Sequence, residues 1–256
     1  MDAISHDELV RRSFERQTAL FAGPDAIFAM RAESTVSWVE PLDADMILLD
    51  VACGAGHVAE ALAPYVRQVV GIDLTQVLLD LGSDRLRGTA VGNVLLQRGN
   101  ANDLPFVDDS FDLVVCRSSV HHFPDPEPPM REMARVCRPG GRVVVSDMVV
   151  PNDGVRVAFD ELHTAMDPSH ARALLEQELA ELMARVVGPL THGTTNTSVF
   201  PIDVMLTDVA DRDAVMARLQ DELAGGAPTG FSPELHDDEL RVAFTGTVIH
   251  AQTDPG

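Results

Sequence analysis

Between residues 46 and 150 the chain alternates short apolar runs with segments of helical periodicity, and few folds accept that texture. MILLDV (46–51), QVVGIDL (68–74), NVLLQRG (93–99), FDLVVCRS (111–118) and GRVVVSDMVV (141–150) read as five strands. Helical patterns separate them over 57–66, through Leu78, Leu79 and Leu81, and over 127–137. Near-continuous apolar strands joined by helices are buried on both faces, which implies a parallel, doubly wound sheet.

The flanks read differently. Residues 6–22 place Leu9, Phe14, Ala19 and Leu20 at loosely helical spacing, ahead of a turn at Gly23-Pro24; a second helix is expected over 27–39. After Pro151, helices are expected over 155–165, 170–187 and 211–224, with strands over 191–200 and 240–251. The second of these helices carries Leu175, Leu179, Leu182 and Val186 on one face, with Asp167 or Ser169 as its N-cap. Two late strands around a helical insertion point to an antiparallel edge on the sheet.

The whole chain, 256 residues, suits one domain: a helical lid over 1–45, a cofactor-binding core over 46–150, and acceptor-covering helices and terminal strands over 151–256. No apolar run approaches the ~18 residues of a membrane span, and the charged Met1 to Arg12 stretch has no secretory pattern. A soluble cytoplasmic protein is expected. Forty acidic residues against nineteen basic ones give a net charge of −21, a field that repels phosphate backbones and anionic lipid. Neither nucleic acid nor a membrane is an expected partner. Cys53, Cys116 and Cys137 are an odd number at wide spacing, so neither a disulfide framework nor a zinc motif can be read.

The chemistry starts where the first strand ends, at Asp50-Val51-Ala52-Cys53-Gly54-Ala55-Gly56-His57. Gly54 and Gly56 allow a tight turn and close ligand approach, and a helix N-terminus follows. The spacing Gly54-x-Gly56-x-x-Ala59 also satisfies a dinucleotide fingerprint, so a nicotinamide oxidoreductase competes. Asp50, four residues before the first glycine, instead suits a ligand bearing an ammonium group. Asp73 closes the second strand where a ribose diol can be gripped, and Asn100 follows the third, placed for an adenine amino group. Cys53 and His57 read as packing and helix-start residues.

These residues, with G-I-D, G-N-A-N-D-L-P-F, S-F-D-L-V-V, His121-His122-Phe123 and R-P-G-G at 138–141, resemble the class I S-adenosylmethionine-dependent methyltransferases. The likeness is to the small-molecule group that includes quinone-biosynthesis and sugar or natural-product O-methyltransferases. It covers 45–150 closely and departs at Asn100, where the family usually carries Asp. The resemblance implies an α/β, doubly wound, Rossmann-like, mostly parallel seven-stranded sheet with an antiparallel edge strand. The helical lid and the insertions after strand five and before the last strand complete that expectation. It also implies S-adenosylmethionine as cofactor and S-adenosylhomocysteine as product. Asp50, Gly54 and Gly56 would hold the methionine part, Asp73 with Leu74 the ribose, and Asn100 with the Ala101 N–H the adenine. The Arg117 carbonyl would meet the amino group.

Methyl transfer is an in-line displacement to which positioning contributes much of the rate, and an alcohol acceptor must also lose a proton. In the resembling sugar-tailoring enzymes a His after strand four and an Asp ending strand five supply the base, and His121 with Asp147 match those positions. His122, His163 and His170 are candidate substrate contacts, the last two within the cluster Glu161, His163, Asp167, Pro168, Ser169 and His170. The carboxylates of Asp147, Asp167 and Glu161 are chemically suited to Mg²⁺, although no spacing demands a metal. The expected function is methyl transfer to a hydroxyl of a small metabolite such as a sugar or glycoside, by a monomer or homodimer. The alternatives are carbon methylation of a quinone- or polyketide-like ring, and a non-catalytic S-adenosylmethionine-binding module. A base-flipping enzyme is disfavoured, because Arg117-Ser118-Ser119 stands where an Asn/Asp-Pro-Pro-aromatic run is expected.

Overall fold

The computed structural model describes residues 4–21, 32–207 and 209–256. Five strands run parallel: β1 (Ile47–Val51), β2 (Gln68–Asp73), β3 (Val94–Arg98), β4 (Phe111–Arg117) and β5 (Cys137–Met148). Three more follow, β6 (Leu190–Pro201), β7 (Glu234–His236) and β8 (Glu239–Gln252), in the order β3-β2-β1-β4-β5-β8-β6 with β7 paired to β8. The sheet is the mostly parallel one expected, but it has eight strands instead of seven. The extra strand, β7, is a three-residue hairpin partner of β8 whose sequence, Glu-Leu-His, is too short to show alternation. The antiparallel strand, β8, lies between β5 and β6, one place in from the edge.

Apolar alternation along the strands builds two cores. Leu48, Leu113, Val115 and Val144 face α2 (Ala32–Val39) and α3 (His57–Leu62), whereas Leu49, Val114, Cys116, Val143 and Val145 face α5 (Glu127–Val136) and α7 (Glu176–Val186). β3 is only partly covered, with Leu95 half exposed, because it is an edge strand.

β8 is longer than β5. Residues 246–252 pair with β5, while 239–245 run on past its carboxyl end, with 241–245 still paired with β6 and 239–241 with β7. At about 3.4 Å per residue this ribbon projects roughly 20 Å beyond the edge where open α/β sheets bind ligands. Beneath it α6 (Arg156–Met166) and α8 (Arg212–Leu223) close a third core of Phe159, Leu162, Val215, Leu219, Phe231 and Val242.

Two expected helix boundaries move. α1 spans His6–Arg16, with the Ser5 hydroxyl accepting from the Glu8 N–H, and breaks into a 3₁₀ turn at Thr18–Leu20. Its buried residue is Ser13, Phe14 packs partly buried against the cluster of Phe21, Ala55 and Leu78, and Ala19 in the turn beyond is exposed. α7 begins at Glu176 rather than 170, so neither Asp167 nor Ser169 caps it. The backbone of 171–174 is engaged elsewhere: Ala171 and Arg172 donate to the His121 carbonyl, and Val150 donates to Leu174. α4 (Gln76–Arg87) follows β2 as expected. Part of the expected 27–39 helix lies outside the described residues, as does the turn at Gly23-Pro24.

Candidate active site

The carboxyl ends of β1, β2, β3, β4 and β5 open on one cavity of about 780 Å³, within the usual range for a small-molecule site. Of the residues singled out by sequence, Asp50, Gly54, Asp73, Leu74, Asn100, Ala101, Arg117, His121, His122, Asp147 and His163 all line it. Gly56 and His170 do not. Gly56 caps α3 at φ +72°, a left-handed backbone, with a Cβ at that position 3.1 Å from Leu96. His170 stacks behind His163, their rings 4.3 Å apart.

At one end the wall is made by backbone turns pinned by acids. Asp73 accepts from the Gly54 and Thr75 N–H groups, one on each oxygen, both at 2.8 Å. Asp50, 1% exposed, accepts from the Ala59 N–H in α3 at 3.1 Å, so it ties the glycine turn to its helix. Burial pushes the Asp50 carboxyl up to about 7, against the pull of Arg117, and burial raises Asp73 too. Two desolvated carboxylates on one wall favour a cationic, hydroxylated ligand, which suits a sulfonium-bearing nucleoside with an amino group. Asn100 turns its side-chain oxygen onto the Asn102 N–H and gives its amide N–H to Asp7 of α1 at 2.8 Å. The Arg117 carbonyl accepts from the Ser119 hydroxyl at 2.9 Å.

The other end is built by side chains. Ser118 takes a positive φ of 52° after β4, and a short turn, Val120–His122, follows. Asp147, at the end of β5, holds that turn: one oxygen accepts from the Ser119 and Val120 N–H groups, at 2.8 and 2.6 Å. The other lies 2.6 Å from His121 Nδ1 and accepts from the Met148 N–H at 2.7 Å. Burial works against the charged forms of both, but their mutual attraction and hydrogen bond prevail, raising the His121 pKa and lowering that of Asp147. The Asp147 contact fixes the tautomer of His121 with Nδ1–H donating, which leaves Nε2 with its lone pair.

His122 differs from its neighbour. Its Nδ1 donates to the Ser169 carbonyl at 3.0 Å, its own carbonyl faces His6 Nε2 at 2.7 Å, and Phe14 packs edge-on against its ring. Burial, then the adjacent His121, lowers its pKa to about 3, which keeps the ring neutral where it lines the cavity. The three carboxylates suited to Mg²⁺ do not gather: Asp147 is engaged by four donors, Glu161 is exposed, and they form no ligand group among the described residues.

Sequence reasoning missed Asp7, Ser13 and Asp160. Asp7 meets Asn100, the Ser13 hydroxyl donates to Asp167 at 2.9 Å, and Asp160 lies 2.7 Å from His170 Nε2. The buried polar face of α1 was the one available signal, and it resembles a solvent face until the structure shows what it meets.

Residues 49–145 match the model of the methyltransferase domain. The chain carries a class I S-adenosylmethionine-dependent methyltransferase domain. It is 41% identical over 138 residues to the uncharacterized methyltransferase YcgJ of Bacillus subtilis, covering 54% of this chain and 53% of that one. The crystal structure of YcgJ superposes with a TM-score of 0.78 at 28% identity, over 89% of this chain and 100% of the other. The demethylmenaquinone methyltransferase of Geobacillus kaustophilus is 33% identical over 156 residues, 57% of this chain and 66% of that one. The sequence matches thus span about half to two thirds of these relatives' length.

Proposed function

We propose that this methyltransferase domain methylates a small molecule at, or activated by, a hydroxyl whose proton passes to His121 Nε2. The observation that carries the reading is the buried His121–Asp147 pair at 2.6 Å, facing the same cavity as Asp73 and Asn100. When bound, S-adenosylmethionine supplies an electrophilic methyl group. Asp73, with the lone pairs its backbone donors leave free, and Leu74 would hold the ribose, and Asn100 with the Ala101 N–H would hold the adenine. Asp50, Gly54, Gly56 and Arg117 shape the methionine end, Asp50 acting through the turn it pins. Asp147 keeps the imidazole in one tautomer and stabilises the imidazolium formed, as the acid of a catalytic triad does. Residues 46–150 form the cofactor half of the domain, 1–45 its helical lid, and 151–256 cover the acceptor.

A second reading, carbon methylation of a hydroquinone-like ring, is favoured by the apolar side chains on the acceptor wall: Phe14, Met166, Phe200, Met205 and Phe244. The relatives named for quinone methylation also support it. Removing the hydroxyl proton of such a ring makes its carbon nucleophilic, so the same histidine serves. The deciding experiment incubates the protein with methyl-labelled S-adenosylmethionine and parallel panels of glycosides and hydroquinones, then locates the label by NMR. Label on oxygen supports the first reading and label on carbon the second. Transfer to neither panel overturns the acceptor class.

A further inference from the structure

His121, His163 and His170 come from three separate places: the turn after β4, the body of α6, and the loop before α7. One ring nitrogen of each lies within 4.8 Å of the other two, and all three residues are buried. Two of the rings hold one nitrogen against a carboxylate, His121 Nδ1 on Asp147 at 2.6 Å and His170 Nε2 on Asp160 at 2.7 Å. A ring so held presents a lone pair on its remaining nitrogen, the arrangement that orients metal-ligating histidines. Nδ1 of His163 and Nδ1 of His170 are buried with no hydrogen-bond partner among the described residues. Leaving a buried polar atom unpaired is normally costly, and here two such atoms lie in stacked rings.

We propose that His121, His163 and His170 form a binding site for one divalent transition-metal cation of the zinc type, at the acceptor end of the cavity. An all-imidazole set suits zinc, cobalt, nickel or copper and rejects magnesium and calcium, which demand oxygen. Zinc–nitrogen distances of about 2.05 Å at a tetrahedral centre separate the nitrogens by roughly 3.3 Å. The cluster must therefore tighten by at most about 1.5 Å, chiefly through His163, the one ring of the three with no carboxylate on it among the described residues. The site goes beyond the methyl-transfer reading and competes with it: a bound cation takes the lone pair of His121 Nε2 that proton removal requires. Metal occupancy is thus an off state of the base.

The test uses tag-free full-length protein, stripped with chelator, dialysed, and titrated with Co²⁺ followed by visible absorption and with Zn²⁺ followed by calorimetry. One equivalent should bind and give the strong bands of tetrahedral cobalt. His163→Ala should abolish those bands, and Asp160→Asn, which loosens His170 without touching a ligand, should weaken binding by about 10- to 100-fold. Absence of the bands, or equal binding by wild type and Asp160→Asn, overturns the site and assigns the cation to the acidic surface. Asp160→Asn decides the matter if His163→Ala fails to fold. S-adenosylhomocysteine binding, measured on the stripped protein, tests the methyl-transfer reading separately, because its loss leaves the cobalt result intact.

Discussion

The two ends of the cavity are made differently. At the β1–β3 end the cavity wall is made of backbone turns, and each acid serves mainly to pin one: Asp73 on Gly54 and Thr75, Asp50 on Ala59. At the β4–β5 end the parts are side chains from β5, the turn after β4, α6 and the loop before α7. There a single carboxylate, Asp147, satisfies four donors at once. A turn-built site tolerates the loss of one side chain, whereas a site built around one shared acceptor fails as a unit.

That contrast is broken most sharply at His121. His121→Ala should cut turnover by about 10²- to 10⁴-fold while S-adenosylhomocysteine affinity stays within twofold, and adding Asp147→Asn should cost far less than the product of the two single losses. Steady-state kinetics and calorimetry on the four proteins of the cycle check this. Independent losses would mean that the two residues do not act together.

The next effect belongs to the glycine end. His57, 7% exposed with its Nε2 3.2 Å from the Phe21 carbonyl, has its pKa lowered to about 4 by burial and then by the nearby Arg85 cation. The folded state therefore resists a proton that the unfolded chain accepts from about pH 6.5 downward. Stability should be full above that pH and fall progressively towards pH 4, by about 3 kcal/mol at most. Urea unfolding from pH 7 to 4 should show this fall in wild type and a flatter profile in His57→Asn. Parallel profiles would remove His57 from the acid response.

A smaller loss is expected when one of the two pinning acids goes and the other, Asp50, still ties the glycine turn to α3. Asp73→Ala should weaken S-adenosylhomocysteine binding by roughly 1.5–3 kcal/mol, read by calorimetry, and leave the cobalt response of the far end unchanged. A change at both ends would show that the two are coupled through the sheet. Smallest of all, Asp7→Ala removes one partly exposed bond to Asn100 and should cost about 0.5–1 kcal/mol of cofactor affinity. A larger effect would make α1 part of the adenine site itself.

The same contrast explains what the sequence disclosed. Asp50, Gly54, Gly56, Asp73 and Asn100 lie in short contiguous motifs, because a turn and the strand that feeds it are consecutive residues. His121 and Asp147 were legible as a pair because both end adjacent strands of a regular sheet. His163 and His170 were named, but their convergence on His121 was not, since it depends on how the loop before α7 folds back. That loop uses N–H groups on the His121 carbonyl where helical periodicity alone predicted six more residues of helix. β7 was missed because three residues carry no period.

α1 touches both ends. Asp7 meets Asn100 on the cofactor side, while His6 meets the His122 carbonyl and Ser13 meets Asp167 on the acceptor side, all within about two turns of one helix. A rigid segment fastened at both places cannot swing away from one and stay seated on the other. Any displacement of α1 therefore breaks the contacts at the Asn100 end and at the Asp167 end together, and neither end of the cavity wall opens alone.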